Sequence, residues 1–194
     1  MSSGHDSTSV HAAPANLKGL VSSHCGENIS KCYQCGKCSA GCPLAEEMDI
    51  APSQILRMLQ TGSKVYEEKV LSSLSIWLCL TCETCVSRCP KEVDLPKIMD
   101  YLREKSLKKN VVNPKAKDIV AFHNSFLDSV KYTGRLYEIG LVSGYKMRTW
   151  HFLQDVMLAP KMFFKGKLGL LPHITRGFSK IKNIFNRIVG KREE

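Results

Sequence analysis

The sequence predicts a mostly α-helical chain, a cysteine-rich domain followed by a helical C-terminal extension. Three observations predict it. Two cysteine-rich stretches of identical spacing begin 47 residues apart, at Cys32 and Cys79. Each is followed by a proline that opens a run of apolar residues at helical spacing. Beyond residue 110, apolar residues again recur three and four apart, with glycines at the breaks.

Length and composition limit the alternatives. A chain of 194 residues with 43% hydrophobic content is one domain, or a small domain with extensions. Residues 1–27 read as a flexible tail. Met1 to Val21 is built of Ser, His, Ala, Gly and Asn and has no basic region followed by an apolar run, so no export signal is expected. No window of about 18 uninterrupted apolar residues predicts a spanning helix. Cytoplasmic location is the expectation, because thiols kept reduced require a reducing compartment. Cys25, beside His24, stands outside both repeats and is expected to be structural.

The repeats carry the chemistry. The first reads Cys32-Tyr-Gln-Cys35-Gly-Lys-Cys38-Ser-Ala-Gly-Cys42-Pro43, the second Cys79-Leu-Thr-Cys82-Glu-Thr-Cys85-Val-Ser-Arg-Cys89-Pro90. A C-x2-C-x2-C loop can wrap three corners of a [4Fe-4S] cube, whose fourth iron needs a cysteine from elsewhere. In two-cluster ferredoxins the cysteine of C-x3-C-P serves the other cluster, and the proline ends the loop. On that pattern Cys32, Cys35, Cys38 and Cys89 hold one [4Fe-4S] cluster, and Cys79, Cys82, Cys85 and Cys42 hold a second. Structural zinc draws on two separated pairs and leaves one cysteine per motif over, and a disulfide framework needs an extracellular chain. Two cubanes with their thiolates, each about −2, bring the formal charge of +10 to about +6. Lys37 lies inside the first loop, and Glu83 lies inside the second. The cation eases reduction of the first cluster and the anion opposes it in the second, unless both point to solvent and are screened.

After the first motif, Asp49-Ile-Ala-Pro52 opens a helix carrying Ile55, Leu56, Met58 and Leu59, which Gly62 stops. A second helix is expected over about Val65 to Trp77, presenting Val70, Leu71, Leu74 and Trp77. After the second motif, Asp94-Leu-Pro96 leads into Ile98, Met99 and Leu102. Each half is a cluster loop plus a proline-led helix. Residues 28–110 are therefore expected to form a helical ferredoxin-like domain with two clusters, rather than the small β-sheet ferredoxin.

With the motifs, the Pro52 helix and Ile76-Trp77-Leu78-Cys79 opening the second repeat, about residues 28 to 190 resemble the iron-sulfur C-subunit of heterodisulfide reductase. The resemblance implies an oxidoreductase component that relays electrons through two [4Fe-4S] clusters. The donor would be a flavin- and iron-sulfur-containing subunit. The acceptor would be a CCG-motif subunit that reduces a disulfide such as CoM-S-S-CoB in methanogenesis, with a hydrogenase or formate dehydrogenase module as a further partner. By position, Cys32, Cys35, Cys38, Cys42, Cys79, Cys82, Cys85 and Cys89 would be the ligands. The chain has no adjacent cysteine pair and no G-x-G-x-x-G fingerprint, so it reads as the relay and not as either terminal site.

Residues 111–194 read as a helical basic extension for subunit docking. Asn113-Pro114 is read as a cap and first turn, followed by Ile119, Phe122, Phe126, Leu127 and Val130 up to Gly134. Leu136, Tyr137, Ile139, Trp150, Phe152, Leu153 and Val156 suggest further helical pieces separated by Gly140 and Gly144. His123 and His151 lack a second ligand at metal spacing and read as packed or surface residues. Lys165-Gly-Lys167-Leu-Gly-Leu-Leu-Pro172 lacks the P-loop order and reads as an extended arm. Residues 151–194 hold nine basic and three acidic residues, so most of the basic excess lies there. The last segment places Phe178, Ile181, Ile184, Phe185 and Ile188 on one face, fit for a partner subunit, its own core or a membrane surface, in that order of expectation. Nucleic acid is not expected, because the basic residues are mixed with aliphatics. Two functions stay open: a permanent electron-transfer component of a hetero-oligomer, in this reductase or a related complex of sulfur or carbon metabolism, and a free ferredoxin-like carrier.

Overall fold

The structure is a computed structural model in which residues 16–150, 165, 175 and 177–190 are described. It is mostly α, with no strand among the described residues. The chain divides into two compact units, one ending at Pro114 and the other beginning at Lys115. The expectations for residues 1–15, for His151, Phe152, Leu153 and Val156, and for the Lys167–Pro172 arm lie outside the described residues.

The first unit begins earlier than expected. Residues 16–27 fall in the expected flexible tail, yet Leu17–Cys25 forms helix α1. Asn16 caps it by accepting from Gly19 N–H at 2.9 Å, and Gly26 closes it in the left-handed conformation that glycine adopts without strain. Leu17, Val21 and Cys25 lie four apart on one buried face. The polar composition conceals this three-residue stripe.

A 3-10 turn at Ile29–Lys31 leads into the first motif, whose loop ends in the one-turn helix α2, Lys37–Ala40. Helix α3, Pro52–Thr61, then starts on its proline and stops at Gly62, and it buries Ile55, Leu56 and Leu59 as the spacing requires. The single helix expected over Val65 to Trp77 is instead two, α4 at Lys64–Leu71 and α5 at Ser75–Leu78. Asp49 causes the break. Its carboxylate accepts from the N–H groups of Leu74 and Ser75, both at 2.9 Å, and so caps a new helix start.

The second motif ends in α6, Thr84–Ser87, and leads into α7, Leu95–Lys108, which Asp94 caps through Lys97 N–H. Ile98, Met99 and Leu102 of α7 join Val21, Ile29, Ile55, Leu59, Val70, Leu71 and Ile76 in the core. Asn113 precedes a 3-10 turn rather than α8 itself, whose N-cap is Ala116, and its side chain donates to Ser72 O at 2.9 Å. Residues 111–114 thus belong to the first unit.

A 3-10 turn at Pro114–Ala116 spans the boundary, and in the second unit α8 runs over Lys117–Thr133 to a left-handed Gly134. Helix α9 spans Glu138–Thr149, and α10 spans Phe178–Gly190. The face that α8 buries is polar and small: Ser125, Ser129 and Thr133. Ser125 meets Gly144 of α9, where an added Cβ would lie 3.4 Å from its hydroxyl. Arg148 donates to Ser125 at 2.9 Å and pairs with Asp128. The apolar stripe read from the sequence stays largely outside: Phe122, Phe126 and Leu127 are exposed. On α10, Phe178, Ile181 and Phe185 are half-buried, while Ile184 and Ile188 are exposed. No described helix is long and apolar enough to cross a membrane.

Candidate functional site

The two motif loops have one backbone plan. Gln34 and Thr81 occupy matching places, as do Gly36 and Glu83, and all four are left-handed, with φ of 63°, 51°, 77° and 58°. Only Gly36 adopts that region without steric cost. The first loop is tied to the helix that follows it. Ser53 N–H donates to Ser39 Oγ at 2.9 Å, which fixes α2 against the start of α3.

This plan gathers the motif cysteines around two small cavities, of about 30 and 20 Å³. Cys32, Cys35, Cys38 and Cys89 line the smaller, together with Cys85. Cys42, Cys79, Cys82 and Cys85 line the larger, together with Cys38. The cavities adjoin through Cys38 and Cys85, the third cysteine of each motif. The fourth cysteine of each motif, Cys42 or Cys89, stands at the cavity of the other motif. None of the eight is in a disulfide. The remaining walls are mostly apolar, including Pro43, Leu44, Met48, Pro52, Leu78, Leu95, Pro96 and Met99 in the larger cavity. Among the described residues no three His, Cys, Asp or Glu side chains gather closely enough to hold a single metal ion.

Burial opposes ionisation at three of these thiols. Burial pushes the thiols of Cys38 and Cys79 up, and that of Cys85 up to about 11. Cys82 is lowered, because the Thr84 hydroxyl lies 3.5 Å from its sulfur and Thr84 N–H also favours the thiolate. Soft thiols around apolar cavities fit an iron-sulfur cluster, and binding iron there must release protons. Two donors already reach sulfurs: Gln34 Nε2 to Cys32 and Val93 N–H to Cys89, each at 3.4 Å. Lys37 and Glu83 are both exposed, which is the screened arrangement. Cys25 lies apart from both cavities. It is buried against α7, its thiol is pushed up by burial and its sulfur is 3.9 Å from Lys97 O.

Sequence reasoning missed two residues that hold the loops. Gln60 Nε2 donates to Ile29 O at 3.0 Å and to Cys32 O at 2.7 Å. Arg103 Nε donates to Ile76 O at 2.5 Å, and its terminal nitrogen donates to Cys79 O. Ile29 and Ile76 are equivalent, 47 residues apart, as are Cys32 and Cys79. Gln60 lies eight residues after Pro52 and Arg103 seven after Pro96, so a long polar side chain at that distance was the available signal.

Comparisons with known proteins agree with the geometry. Residues 28–93 match the family model of the 4Fe-4S dicluster domain. The chain is 29% identical over 97 residues to the C-subunit of the H(2):CoB-CoM heterodisulfide,ferredoxin reductase of Methanothermobacter thermautotrophicus, covering 50% of this chain and 51% of that one. It is 38% identical over 77 residues to the second iron-sulfur C-subunit of the CoB--CoM heterodisulfide reductase of Methanocaldococcus jannaschii, covering 40% and 39%. With the C-subunit of the Ferredoxin:CoB-CoM heterodisulfide reductase of Methanosarcina acetivorans it shares 32% identity over 83 residues, 43% of this chain and 32% of the other. The chain thus spans about half the length, or less, of the curated relatives it matches. The similarity is also shorter than the stretch from residue 28 to 190 expected from the motifs and basic tail.

Proposed function

We propose that this chain, whose residues 28–93 match the 4Fe-4S dicluster domain and which is similar to heterodisulfide reductase C-subunits, is the electron relay of a heterodisulfide-reductase-type complex. Cys32, Cys35, Cys38 and Cys89 would hold one [4Fe-4S] cluster and Cys42, Cys79, Cys82 and Cys85 a second. When bound, such clusters accept and release single electrons. The chain's own residues do the rest: the thiolates fix the two sites side by side, the apolar walls limit water, and Gln60 and Arg103 hold the loops rigid.

The observation that carries this reading is the pair of adjoining cavities, each lined by its own four thiols and by one from the other set. Adjacent sites suit transfer from one partner to another. Tyr33 and Leu80, each the residue after its motif's first cysteine, are 58% and 63% exposed, which leaves apolar contact points beside both loops. In this reading a flavin-containing partner supplies electrons and a CCG-motif partner takes them to a disulfide such as CoM-S-S-CoB, in the cytoplasm. The chain has no catalytic residue of its own, and residues of the second unit supply the docking surface.

An anaerobic pull-down of the tagged full chain tests this, with iron and flavin assayed in the eluate. Co-purification of a flavoprotein and a CCG-motif protein is the expected result. Recovery of the iron-loaded chain alone would favour a free carrier and overturn the relay-in-a-complex reading.

A further inference from the structure

The two loop latches are equivalent in place and different in charge. Gln60 reaches the carbonyls of Ile29 and Cys32 with a neutral amide. Arg103 reaches those of Ile76 and Cys79 with a cationic guanidinium. Its side chain is only 16% exposed, so water screens its charge poorly on the side of the cavity. Asp100, its ion-pair partner at 2.8 Å, is 59% exposed and far better screened.

We infer that Arg103 holds the cluster site of Cys42, Cys79, Cys82 and Cys85 at a higher reduction potential than the site of Cys32, Cys35, Cys38 and Cys89. The inference rests on the two-cluster reading. Adding an electron makes a cluster more negative, and a nearby fixed cation stabilises that state. The opposing contributions are weaker. Gln34 and Val93 direct dipoles at sulfurs of the first site, but the potential of a dipole falls off faster with distance than that of a full charge. Thr84 offers a similar dipole at Cys82 of the second site. Lys31, Lys37, Glu83 and Arg88 flank the loops and are all exposed. Arg103 is therefore a positioning residue that also sets direction. One electron leaves the first site, which is oxidised by one, and reduces the second by one.

The test is an anaerobic redox titration of the full chain with its clusters, followed by electron paramagnetic resonance, with iron counted on the same samples. Wild-type protein should show two reduction steps. Arg103→Gln keeps an amide donor like that of Gln60 but removes the charge. It should lower the upper step, cutting the electron-partition ratio between the sites about tenfold, or about 59 mV for one electron, and leave the lower step in place. Gln60→Arg, the reciprocal change, should raise the lower step. A purely structural latch would move neither. If both variants keep their iron and neither step moves, or if Arg103→Gln moves the lower step, the inference is overturned while the two-cluster reading stands. If Arg103→Gln loses its iron, Gln60→Arg decides alone. Wild-type protein with far fewer than about eight irons would instead overturn the two-cluster reading, and this inference with it.

Discussion

Glu67 accepts the backbone N–H of Leu17 at 2.7 Å, across fifty residues of chain. The first N–H groups of a helix have no partner within it, and a buried carboxylate from α4 satisfies this one at the start of α1. Glu67 itself is 8% exposed.

Glu67→Ala should therefore loosen α1. It leaves a buried donor unpaired, at a cost of about 2 kcal/mol. Urea unfolding of the iron-loaded chain under anaerobic conditions should show a lower midpoint, and limited proteolysis should cut first within Leu17–Cys25. An unchanged midpoint would mean that the Leu17, Val21 and Cys25 stripe alone secures the helix.

Asp49 is the cap that splits the helical stretch after Gly62. Burial by itself pushes its carboxyl up, but the Ser75 hydroxyl and the N–H groups of Leu74 and Ser75 outweigh that and hold it below the usual carboxylate range. A depressed folded value means that its stabilisation is complete above the unfolded value of about 3.9 and is lost as pH falls through the folded one. At neutral pH Asp49→Asn should cost about 1 kcal/mol, read as faster amide exchange at Leu74 and Ser75. That difference from wild type should shrink as the pH is lowered to about 4 and below.

Crossed ligation is open to a direct trial. Cys42→Ser should damage the cluster whose other ligands are Cys79, Cys82 and Cys85, and Cys89→Ser the one with Cys32, Cys35 and Cys38. Each variant should lose up to about half of its eight irons. Mössbauer spectra would show which site is altered, and damage to the cluster of the same motif would refute the crossing.

Glu83 is a left-handed residue at the place where the first loop has Gly36. Glu83→Gly should stabilise the protein by about 1 kcal/mol, and Gly36→Ala should destabilise it by a similar amount. Thermal unfolding of the two variants beside wild type reads both signs in one experiment.

Gly144 lets α9 approach α8. Gly144→Leu would drive a side chain into Ser125 and Arg148, and overpacking of this kind costs about 1–3 kcal/mol. Partner recovery in the pull-down should fall while the iron content holds, because the cysteines all lie in the other unit. Loss of both together would show that the units depend on each other.

The cysteine repeats and the proline-led helices were legible because covalent identity and local rules define them. Spacing places Cys42 and Cys89 in motifs, and Pro52, Gly62 and Pro96 punctuate helices through backbone geometry alone. What escaped depends on contacts distant in sequence. Asp49 breaks a helix from 25 residues away, Glu67 holds one from fifty away, and Gln60 and Arg103 act on carbonyls, which have no sequence signature. In α8 the periodicity marks the apolar face but not the inner one, which Ser125, Ser129 and Thr133 take instead.

A newly made chain can complete the α8–α9 hairpin with Ser125 and Thr133 inside and still display Phe122, Phe126 and Leu127 to any passing chaperone or protease. Folding alone does not silence that signal. Only burial of those side chains would, so chain made in excess of whatever covers them should be the shorter-lived fraction.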